Sequence, residues 1–322
     1  MIIPSAPNSL KYSIVIASYH RPALLRQTVT ALIPQVGADG ELLIIEQDPL
    51  EDLSAFFQAL PFVRYHSLPR RGTCEARNHG VRLARGQITI FLDDDVIPEP
   101  DLIHEHLKPF SDETVGGVAG RSIEAGFEPA AGINPLALDP ESGWWYDHFD
   151  HPQRRDVLHA PTKNLSFRTD LIRKVGGFDP AFRLAWREDS DLCFRVRRLG
   201  YRIVYHPPAT LTHLHATAGG TRGTAAPPGL VRRELRIYSR SFRHYRDNLY
   251  FLMRHFRGRA RRRWIWRSYR DYVGLSRWPW RLLAKNACFA AALWQAAALA
   301  RHRTHCPCRL DESQDPVQFG GG

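Results

Sequence analysis

The sequence predicts an α/β protein with a mostly parallel central sheet, followed by a basic helical region. Three observations support this prediction. Short apolar runs alternate with helical patterns over the first 120 residues, three adjacent aspartates end one of these runs, and positive charge is concentrated near the C-terminus. The chain has 322 residues, 43% of them hydrophobic, which is enough for a substantial core.

The alternation of apolar runs and helical patterns sets the predicted elements. Strands are predicted at residues 12–18, 41–46, 62–66, 87–92 and 114–120. Helices are predicted from Pro22 onward, over residues 52–60, and over residues 73–85 with Thr73 as the N-cap. Such alternation places the strands in parallel order with helices on both faces of the sheet. Ligands of such sheets bind at the carboxyl ends of the strands.

An acidic turn follows the fourth predicted strand, in the stretch ITIFLDDDVIPEP at residues 88–100. Adjacent carboxylates repel one another unless a cation lies between them. The sequence has neither a GxxxxGK[ST] loop nor a GxGxxG turn after the first strand, so a bound diphosphate would need another counter-charge. A divalent ion held by carboxylates supplies it, because Mg²⁺ and Mn²⁺ prefer oxygen ligands. The alternative is a solvated acidic turn that binds no ligand.

A second acidic cluster lies within residues 162–199, where a strand, a helix and another helix are predicted in that order. Glu188 and Asp189 stand immediately before the last of these helices. Carboxylates at such a position either cap the helix or act as a general base toward a hydroxyl. Asp191 either caps the same helix or pairs with Arg195 four residues on.

Basic residues are concentrated in the C-terminal part of the chain. Residues 230–303 contain 19 Lys and Arg against 3 Asp and Glu, whereas residues 1–229 contain 24 against 27. The stretch 218–229, rich in Gly, Pro and Ala, marks the change in composition. We therefore expect an α/β domain at residues 1–222, a basic, aromatic-rich helical region at residues 223–303, and a flexible tail at residues 304–322.

Arginine and aromatic residues recur at helical spacing in the C-terminal region, and its longest unbroken apolar run is residues 287–294. That run is shorter than the roughly 20 residues that cross a bilayer. The pattern predicts either amphipathic helices on an anionic membrane surface or a helical subdomain packed on the α/β domain. Nucleic-acid binding is a weaker interpretation of the same charge. Five cysteines and no signal-peptide pattern favour a cytoplasmic setting, either free or at the inner face of the cytoplasmic membrane.

Six motifs, taken in order, carry a resemblance to a known family. They are SIVIASYHRP, ELLIIEQD, GTCEARNHG, FLDDDVIPEPDL, NLSFRTDLIRKVGGFDPAF and REDSDLCFRVRRLGYRIVY, spread over residues 11–215. The sequence resembles the family 2 glycosyltransferases, which have the GT-A fold, a Rossmann-like sandwich. The resemblance implies a nucleotide-sugar donor, a metal-binding DxD motif that uses Mn²⁺ or Mg²⁺, and inverting transfer of a sugar to an acceptor hydroxyl.

The resemblance also implies roles for individual residues. Asp93 and Asp95 match the two acidic positions of the DxD motif, with Asp95 on the metal and Asp94 on the ribose or the sugar. Glu188 and Asp189 match the catalytic pair, with Asp189 as the base. The other positions that match donor-binding residues are Ala17, Tyr19, Arg21, Glu46, Gln47, Arg77 and Asn78. A further metal or diphosphate contact falls on His213 or His215.

One position departs from the family's pattern. The second strand usually ends in a pair of aspartates, one of which reads the base, and here it ends with Glu46, Gln47 and Asp48. The amide of Gln47 carries both a donor and an acceptor, so it can pair with the imide edge of uracil or thymine. This favours a UDP- or dTDP-sugar over a GDP-sugar.

Aromatic residues indicate where an acceptor could bind. Trp144 and Trp145, in the stretch GWWYDHFDH, either stack on sugar rings in an acceptor cleft or pack against other side chains. Trp186 is spaced with Phe178 and Phe182 to line a wall. The expected acceptor is a glycan or a lipid-linked molecule of cell-envelope polysaccharide or glycolipid biosynthesis.

Two other functions were weighed against glycosyl transfer. A sugar-1-phosphate nucleotidyltransferase shares the Rossmann-like core and the metal chemistry, but it normally has a GGxGTR-type loop after the first strand, and this sequence lacks one. A non-catalytic sugar-nucleotide-binding protein that docks on membrane or nucleic acid is the second alternative. The intact acidic pairs argue against it.

Overall fold

The computed structural model describes residues 10–126, 149–183, 187–216, 230–273 and 279–302. Its strands are β1 (Tyr12–Tyr19), β2 (Gly40–Gln47), β3 (Val63–Leu68), β4 (Ile88–Leu92), β5 (Val96–Pro98), β6 (Val115–Glu124), β7 (Arg155–Val157), β8 (Asn164–Arg168) and β9 (Arg202–His213). Within the described ranges these strands form one sheet with the order β3-β2-β1-β4-β8-β6-β9-β5, and β7 pairs with β9.

Helices cover the sheet and continue beyond it. They are α1 (Pro22–Leu32), α2 (Ser54–Gln58), α3 (Thr73–Leu83), α4 (Leu102–Leu107), α5 (Thr169–Lys174), α6 (Glu188–Arg197), α7 (Leu230–His255), α8 (Gly258–Val273) and α9 (Pro279–His302). Short 3₁₀ segments follow α1 and α4. As the sequence predicts, α1 begins at Pro22, whose fixed φ suits the first turn of a helix.

The central strands bury both of their faces. Ile14 and Ile16 of β1 belong to one hydrophobic cluster together with Leu25 of α1. Val15 belongs to the cluster on the opposite face, together with Val81 of α3. Because successive side chains of a strand point to opposite faces, a strand covered on both sides reads as a continuous apolar run. The predicted α/β class, with helices on both faces of the sheet, is confirmed.

The sheet changes its direction of growth at β1. β2 and then β3 are added on one side of β1, and β4 is added on the other, with all four strands parallel. The carboxyl ends of β1 and β4 therefore meet at a topological switch point, where open α/β sheets leave a crevice. Ser18 and Tyr19 end β1 at this crevice, and Asp93 immediately follows β4.

The other half of the sheet is mixed. β8 lies between β4 and β6 and is antiparallel to both, while β9 runs parallel to β6. β5 and β7 pair with β9 in antiparallel fashion. The predicted fifth strand, β6, is therefore not a direct neighbour of β4, because a strand from much later in the chain occupies that place.

The start of α3 differs from the prediction. Thr73 is the first helical residue rather than the N-cap, and Gly72 precedes the helix without a side-chain capping bond. The backbone N–H of Gly72 instead donates to Oε1 of Gln47 at 2.7 Å. The turn into α3 is thus fixed by the end of β2, so a capping hydroxyl is not needed there.

Three long helices form the C-terminal region, and α7 packs against both α6 and α9. Phe182 and Phe194 belong to the same hydrophobic cluster as Phe251 of α7 and Phe289 of α9. Within the described residues, one helix stretch of 20 residues, Leu282–Arg301, has the length and mean hydropathy (1.3 over an 18-residue window) of a membrane-spanning segment. Core helices of soluble proteins also meet this criterion, but they are mostly buried, whereas 17% of this stretch is buried.

Candidate functional site

A cleft opens at the carboxyl ends of β1, β2 and β4, at the topological switch point. The described residues that line it are Ala17, Tyr19, Arg21, Gln47, Arg71, Thr73, Arg77, Asp93, Asp94, Asp95, Pro161, Thr162, Lys163, Glu188, Asp189 and His213. The three adjacent aspartates and the Glu188-Asp189 pair, which are almost 100 residues apart in sequence, therefore face the same cleft. Basic side chains surround both acidic groups.

The three aspartates have different surroundings. Ser18 Oγ donates to Asp94 Oδ2 at 2.8 Å, and Arg21 Nη1 donates to Asp94 Oδ1 at 2.8 Å and to Asp95 Oδ2 at 3.1 Å. Asp94 and Asp95 are buried, whereas the Asp93 side chain is 34% exposed. Arg21 immediately precedes α1, so the start of that helix fixes the guanidinium that offsets the repulsion between the two buried carboxylates.

The pKa values of the two buried aspartates move in opposite directions. Burial raises the pKa of Asp94 to about 6, and the opposing effect of Arg21 does not cancel it. Burial acts in the same sense on Asp95, but the hydrogen bond from His213 and the charge of Arg21 outweigh it and lower the pKa of Asp95 to about 2. Both carboxylates are mostly ionised at neutral pH, but Asp95 keeps its charge at a more acidic pH than Asp94 does.

His213 brings an imidazole to the aspartates. Its Nε2 lies 3.3 Å from Asp95 Oδ1, and its Nδ1 lies 2.8 Å from Glu124 Oε2. Ligand atoms of Asp93, Asp95 and His213 all lie within 4.8 Å of one another, as one metal ion would require. Although burial opposes it, hydrogen bonding to Asp95 and Glu124 raises the pKa of His213 to about 9.

A second group of possible ligands shares His213. Glu124, His213 and His215 also have ligand atoms within 4.8 Å of one another. Glu124 already forms ion pairs with Lys163 and with His215. Of this group, His213 lines the cleft, whereas Glu124 and His215 do not. The Asp93–Asp95–His213 group is therefore the one placed where a bound diphosphate could share its ion.

Arg77 connects the two acidic regions of the cleft. Its Nη1 donates to Glu188 Oε1 at 2.8 Å, and its Nη2 lies 3.6 Å from Asp93 Oδ1. Both Arg77 and Glu188 are buried. Burial and the neighbouring Asp189 raise the pKa of Glu188, and the charge of Arg77 opposes that rise. The guanidinium also lies over the Phe178 ring, 5.6 Å from its centroid.

The two carboxylates at the start of α6 differ in their contacts. Glu188 is paired with Arg77, whereas Asp189 is partly buried and accepts a hydrogen bond from the backbone N–H of Ser190 at 2.7 Å. Asp191 pairs with Arg195, whose Nε donates to it at 2.8 Å. Of the two alternatives that the sequence allows for Asp191, pairing with Arg195 is confirmed.

Tyr19 and Gln47 form the part of the cleft at the ends of β1 and β2. The Tyr19 ring stacks on His20 with 3.8 Å between ring centroids. The Arg71 guanidinium lies 4.8 Å from the centroid of the same ring. Gln47 is buried and uses both ends of its amide. Its Nε2 donates to the carbonyl of Ser18 at 3.2 Å, while its Oε1 accepts from the Gly72 N–H.

Two residues expected to bind the donor have other partners. The Asn78 amide donates to the carbonyl of Phe178 at 2.8 Å and accepts from its N–H at 2.7 Å, and Asn78 does not line the cleft. Glu46 is buried outside the lining and accepts a hydrogen bond from the Tyr65 hydroxyl at 2.7 Å. Both therefore hold the framework around the cleft in place.

Further expected residues lie outside the described part of the chain. Trp144, Trp145 and Trp186, expected at an acceptor site, all fall in the gaps between the described ranges. Conversely, Arg71 and Lys163 line the cleft although the sequence analysis did not single them out. Arg71 immediately precedes the turn into α3, and a cation at that position is the one sequence signal that could have indicated it.

Helix α7 supports the start of α6 from behind the cleft. Arg187, the residue before α6, has a left-handed backbone with φ of 74°, and its Nε donates to Asn248 Oδ1 at 3.1 Å. Asp191 is fully buried and contacts His255 Nε2 at 2.7 Å and Arg254 Nε at 3.2 Å. The position of the Glu188-Asp189 pair thus depends on charged and polar side chains of the C-terminal region.

Comparison with known proteins identifies the family. Residues 13–176 match the model described as "Glycosyl transferase family 2", which covers half of the chain. The chain belongs to glycosyl transferase family 2. Among individual proteins, the chain is similar to the "Pre-mycofactocin glycosyltransferase" of Mycobacterium tuberculosis, with 30% identity over 224 residues. The match covers 66% of this chain and 45% of the relative, so the chain spans about half the length of that protein.

Other similar proteins are more distant. The "Glucosyl-dolichyl phosphate glucuronosyltransferase" of Haloferax volcanii is 22% identical over 220 residues, 63% of this chain and 69% of that protein. Among solved structures, the mannosyltransferase PcManGT of Pyrobaculum calidifontis has a TM-score of 0.53 at 18% identity. The match covers 94% of this chain and 82% of the PcManGT chain. GalNAc-T7 has a TM-score of 0.55 at 16% identity, and the match covers 94% of this chain and 59% of the GalNAc-T7 chain. The expected GT-A fold is confirmed.

Proposed function

We propose that this chain transfers a sugar from a nucleotide-diphosphate donor to an acceptor hydroxyl, with inversion at the anomeric carbon. The observation that carries the proposal is that the triple-aspartate turn and the Glu188-Asp189 pair line one cleft at the switch point of the sheet. Membership in glycosyl transferase family 2 supports glycosyl transfer as the reaction. The structures of PcManGT with GDP-Man and Mn²⁺, and of GalNAc-T7 with UDP and Mn²⁺, support a nucleotide donor and a divalent ion.

Asp93, Asp95 and His213 fit a divalent ion. Two carboxylates and one imidazole supply three ligand atoms within 4.8 Å of one another, and the remaining positions are left for donor oxygens. His213 has a pKa of about 9 beside Asp95 and Glu124, so it would have to release a proton in order to bind the ion. An imidazole in the set favours Mn²⁺ over Mg²⁺, which selects oxygen ligands more strictly. When bound, such an ion supplies Lewis-acid stabilisation of the negative charge on the leaving diphosphate.

The cationic side chains of the cleft fit the remaining charge of a diphosphate. Arg71, Arg77 and Lys163 line the cleft together with Arg21. Without a glycine-rich loop after β1, these side chains replace the backbone N–H groups that would otherwise bind phosphate. Tyr19 offers a ring face for the base, and Gln47 offers the remaining amide positions at its edge.

Asp189 is assigned as the base. Within the pair, Glu188 is committed to Arg77, while Asp189 is less buried and faces the cleft. In the proposed step the acceptor oxygen forms a bond to the anomeric carbon while the bond from that carbon to the diphosphate oxygen breaks. The hydroxyl proton passes to the Asp189 carboxylate, and a nucleoside diphosphate leaves.

A donor screen tests the reaction and the base together. Hydrolysis or transfer is measured for UDP-, dTDP- and GDP-sugars with Mn²⁺, with Mg²⁺ and with a chelator. We expect turnover of a UDP- or dTDP-sugar with Mn²⁺ and none with the chelator. Formation of a nucleotide sugar from a sugar 1-phosphate and a nucleoside triphosphate would instead assign a nucleotidyltransferase. Donor binding without turnover on any acceptor would favour a non-catalytic binding protein.

Two substitutions test the assigned roles. Asp189→Asn should keep donor affinity and lose about 10²-fold or more in turnover, because the proton acceptor is removed. Asp95→Ala should abolish the Mn²⁺-dependent part of donor binding in calorimetry. Asp170→Asn, which changes an exposed carboxylate of α5 away from the cleft, is the matched control and should change neither quantity. Normal turnover of Asp189→Asn would show that another group is the base.

A lipid-linked or glycan acceptor of polysaccharide or glycolipid biosynthesis fits this reaction. The name of the Haloferax relative includes a dolichyl phosphate acceptor, which supports a lipid-linked acceptor here. We propose the division into an α/β catalytic part at residues 1–222, a helical part at residues 223–303 and a tail at residues 304–322. The expected setting is the cytoplasm or the inner face of the cytoplasmic membrane.

A further inference from the structure

The outward face of α9 carries an apolar stripe. Its exposed residues are Leu283, Ala287, Ala290, Ala291 and Trp294, and Leu283 and Trp294 are 72% and 69% exposed. Spacings of three and four residues place them on one side of the helix. The opposite side, with Phe289, Ala292 and Ala296, is buried in the hydrophobic core that α7 shares. Large exposed apolar patches of this kind mark interaction sites.

Helix α8 carries a dense positive charge. Arg259, Arg261 and Arg262 are exposed in its first turns, and Arg257 is exposed just before it. Trp266 on the same helix is 66% exposed.

An aromatic contact joins the two helices next to the stripe. The Tyr269 ring stacks on Trp266 at 5.6 Å and packs edge-on against Phe289 of α9 at 5.3 Å. Its hydroxyl donates to Asn286 Oδ1 at 2.8 Å. Trp266 is thereby held close to α9.

We propose that the outward surface of α8 and α9 docks on an anionic lipid surface, with α9 lying in the plane of the interface. Charge complementarity selects this partner, because residues 230–303 carry an excess of 16 positive charges and α8, which contacts α9 through Tyr269, carries exposed arginines. A helix with tryptophan on its apolar face and arginine nearby suits the boundary between headgroups and acyl chains. A second copy of the chain fits less well, since it would bring two arginine-dense surfaces together.

The packing of α9 favours lying on the membrane over crossing it. Twenty residues of helix are about 30 Å long, close to the thickness of the hydrocarbon core, so length alone does not decide. Crossing would separate α9 from α7 and expose the buried side of both helices. It would also break the bond from Lys285 Nζ to the carbonyl of Val273 at 3.3 Å and the contact between Asn286 and Tyr269.

Vesicle flotation of the full chain tests the proposal. Vesicles of phosphatidylcholine alone are compared with vesicles that contain 30% phosphatidylserine or phosphatidylglycerol, at low and at high NaCl. We expect binding to the anionic vesicles that weakens at least tenfold at high salt, and little binding to phosphatidylcholine. No binding to anionic vesicles would overturn the proposal.

Three variants locate the docking surface. Leu283→Glu combined with Trp294→Glu should reduce binding at least tenfold, and Arg261→Glu combined with Arg262→Glu should do the same. Leu50→Glu is the matched control, because Leu50 is 64% exposed in the α/β part of the chain and should bind like the wild type. Circular dichroism spectra should be the same for all variants. Equal binding of the wild type and both double variants would contradict the assignment of this surface.

Two further measurements distinguish docking on a lipid surface from binding of a second copy of the chain and from a helix that crosses the membrane. Light scattering that shows a dimer lost in the Leu283→Glu and Trp294→Glu variant would assign the stripe to a second copy and overturn the proposal. Resistance to alkaline carbonate extraction would indicate a crossing helix and overturn the interfacial orientation. Vesicle binding is measured without a donor, so its failure would leave the proposed glycosyl transfer untouched.

Discussion

Replacing Asp191 by asparagine removes a buried negative charge that ties α6 to α7. The carboxylate accepts from Arg195 Nε at 2.8 Å and contacts His255 Nε2 at 2.7 Å and Arg254 Nε at 3.2 Å. Burial alone would raise the pKa of Asp191, but Arg195, His255 and Arg254 hold it far below its usual range. The group is therefore a carboxylate at neutral pH, and Asp191→Asn tests its charge at nearly constant volume.

The cost of this substitution follows from the burial of its partners. Arg195 is 1% exposed and would lose its main counter-charge. Removing one partner of a buried ion pair typically costs about 3–5 kcal/mol. That is a large share of the roughly 5–15 kcal/mol by which a domain is stable. At about 2–4 °C per kcal/mol, the melting temperature should fall by about 10 °C.

Chemical denaturation at neutral pH, with thermal unfolding alongside, measures this effect. Asp170→Asn on α5 is the control, because an exposed carboxylate should change the free energy of unfolding by less than about 0.5 kcal/mol. The double variant Asp191→Leu with Arg195→Met should be more stable than Asp191→Asn, since it removes both charges. If Asp191→Asn unfolds within about 1 kcal/mol of the wild type, the assumption of a costly unbalanced charge is refuted.

Acid should destabilise the protein, because burial lowers the pKa of both His106 and His159 to about 4. The unfolded chain takes up these protons first, so the contribution of these two histidines to the free energy of unfolding should be constant above about pH 6.5 and fall towards pH 4 by about 1.4 kcal/mol per pH unit for each histidine, as urea unfolding measures. The raised pKa of His213 acts in the opposite sense, so its contribution should be lost between about pH 6.5 and pH 9. Arg77→Met should lower stability by leaving Glu188 buried and unpaired, and adding Glu188→Gln should recover about 0.5–3 kcal/mol in a double-mutant cycle. Gly177→Ala should cost about 1 kcal/mol or more in the same assay, because its φ of 71° is left-handed.

The parallel half of the sheet could be predicted from the sequence because local patterns determine it. β1, β2 and β4 read as continuous apolar runs, and β1 and β2 are each followed by a helix within a short loop. The triple-aspartate turn could be located for the same reason, since it directly ends β4. The convergence of Asp93 and Asp189 on one cleft was expected from the family resemblance and not from local patterns, because Asp189 begins α6, between two strands of the mixed half.

The mixed half of the sheet could not be predicted, because its pairings join distant parts of the chain. β5 has three residues and pairs with β9 more than 100 residues later, so no local pattern marks it. The bond of Asn78 to Phe178 is hidden for the same reason, because the two residues are 100 positions apart. The presence of a polar residue in a family motif therefore does not show whether its side chain binds the ligand or forms hydrogen bonds to the protein around the site.

The bonds between α6 and α7 limit how this chain can be recombined with its relatives. Arg254 and His255 should accompany Asp191, because a transplanted α7 that lacks them would leave that buried carboxylate with Arg195 alone of its three partners. A chimera joined between residues 217 and 229 should therefore fold only when both of its halves come from the same parent or carry matching charges. When segments are exchanged between relatives, the buried charges that join α6 to α7 must therefore still balance, although none of them lines the cleft.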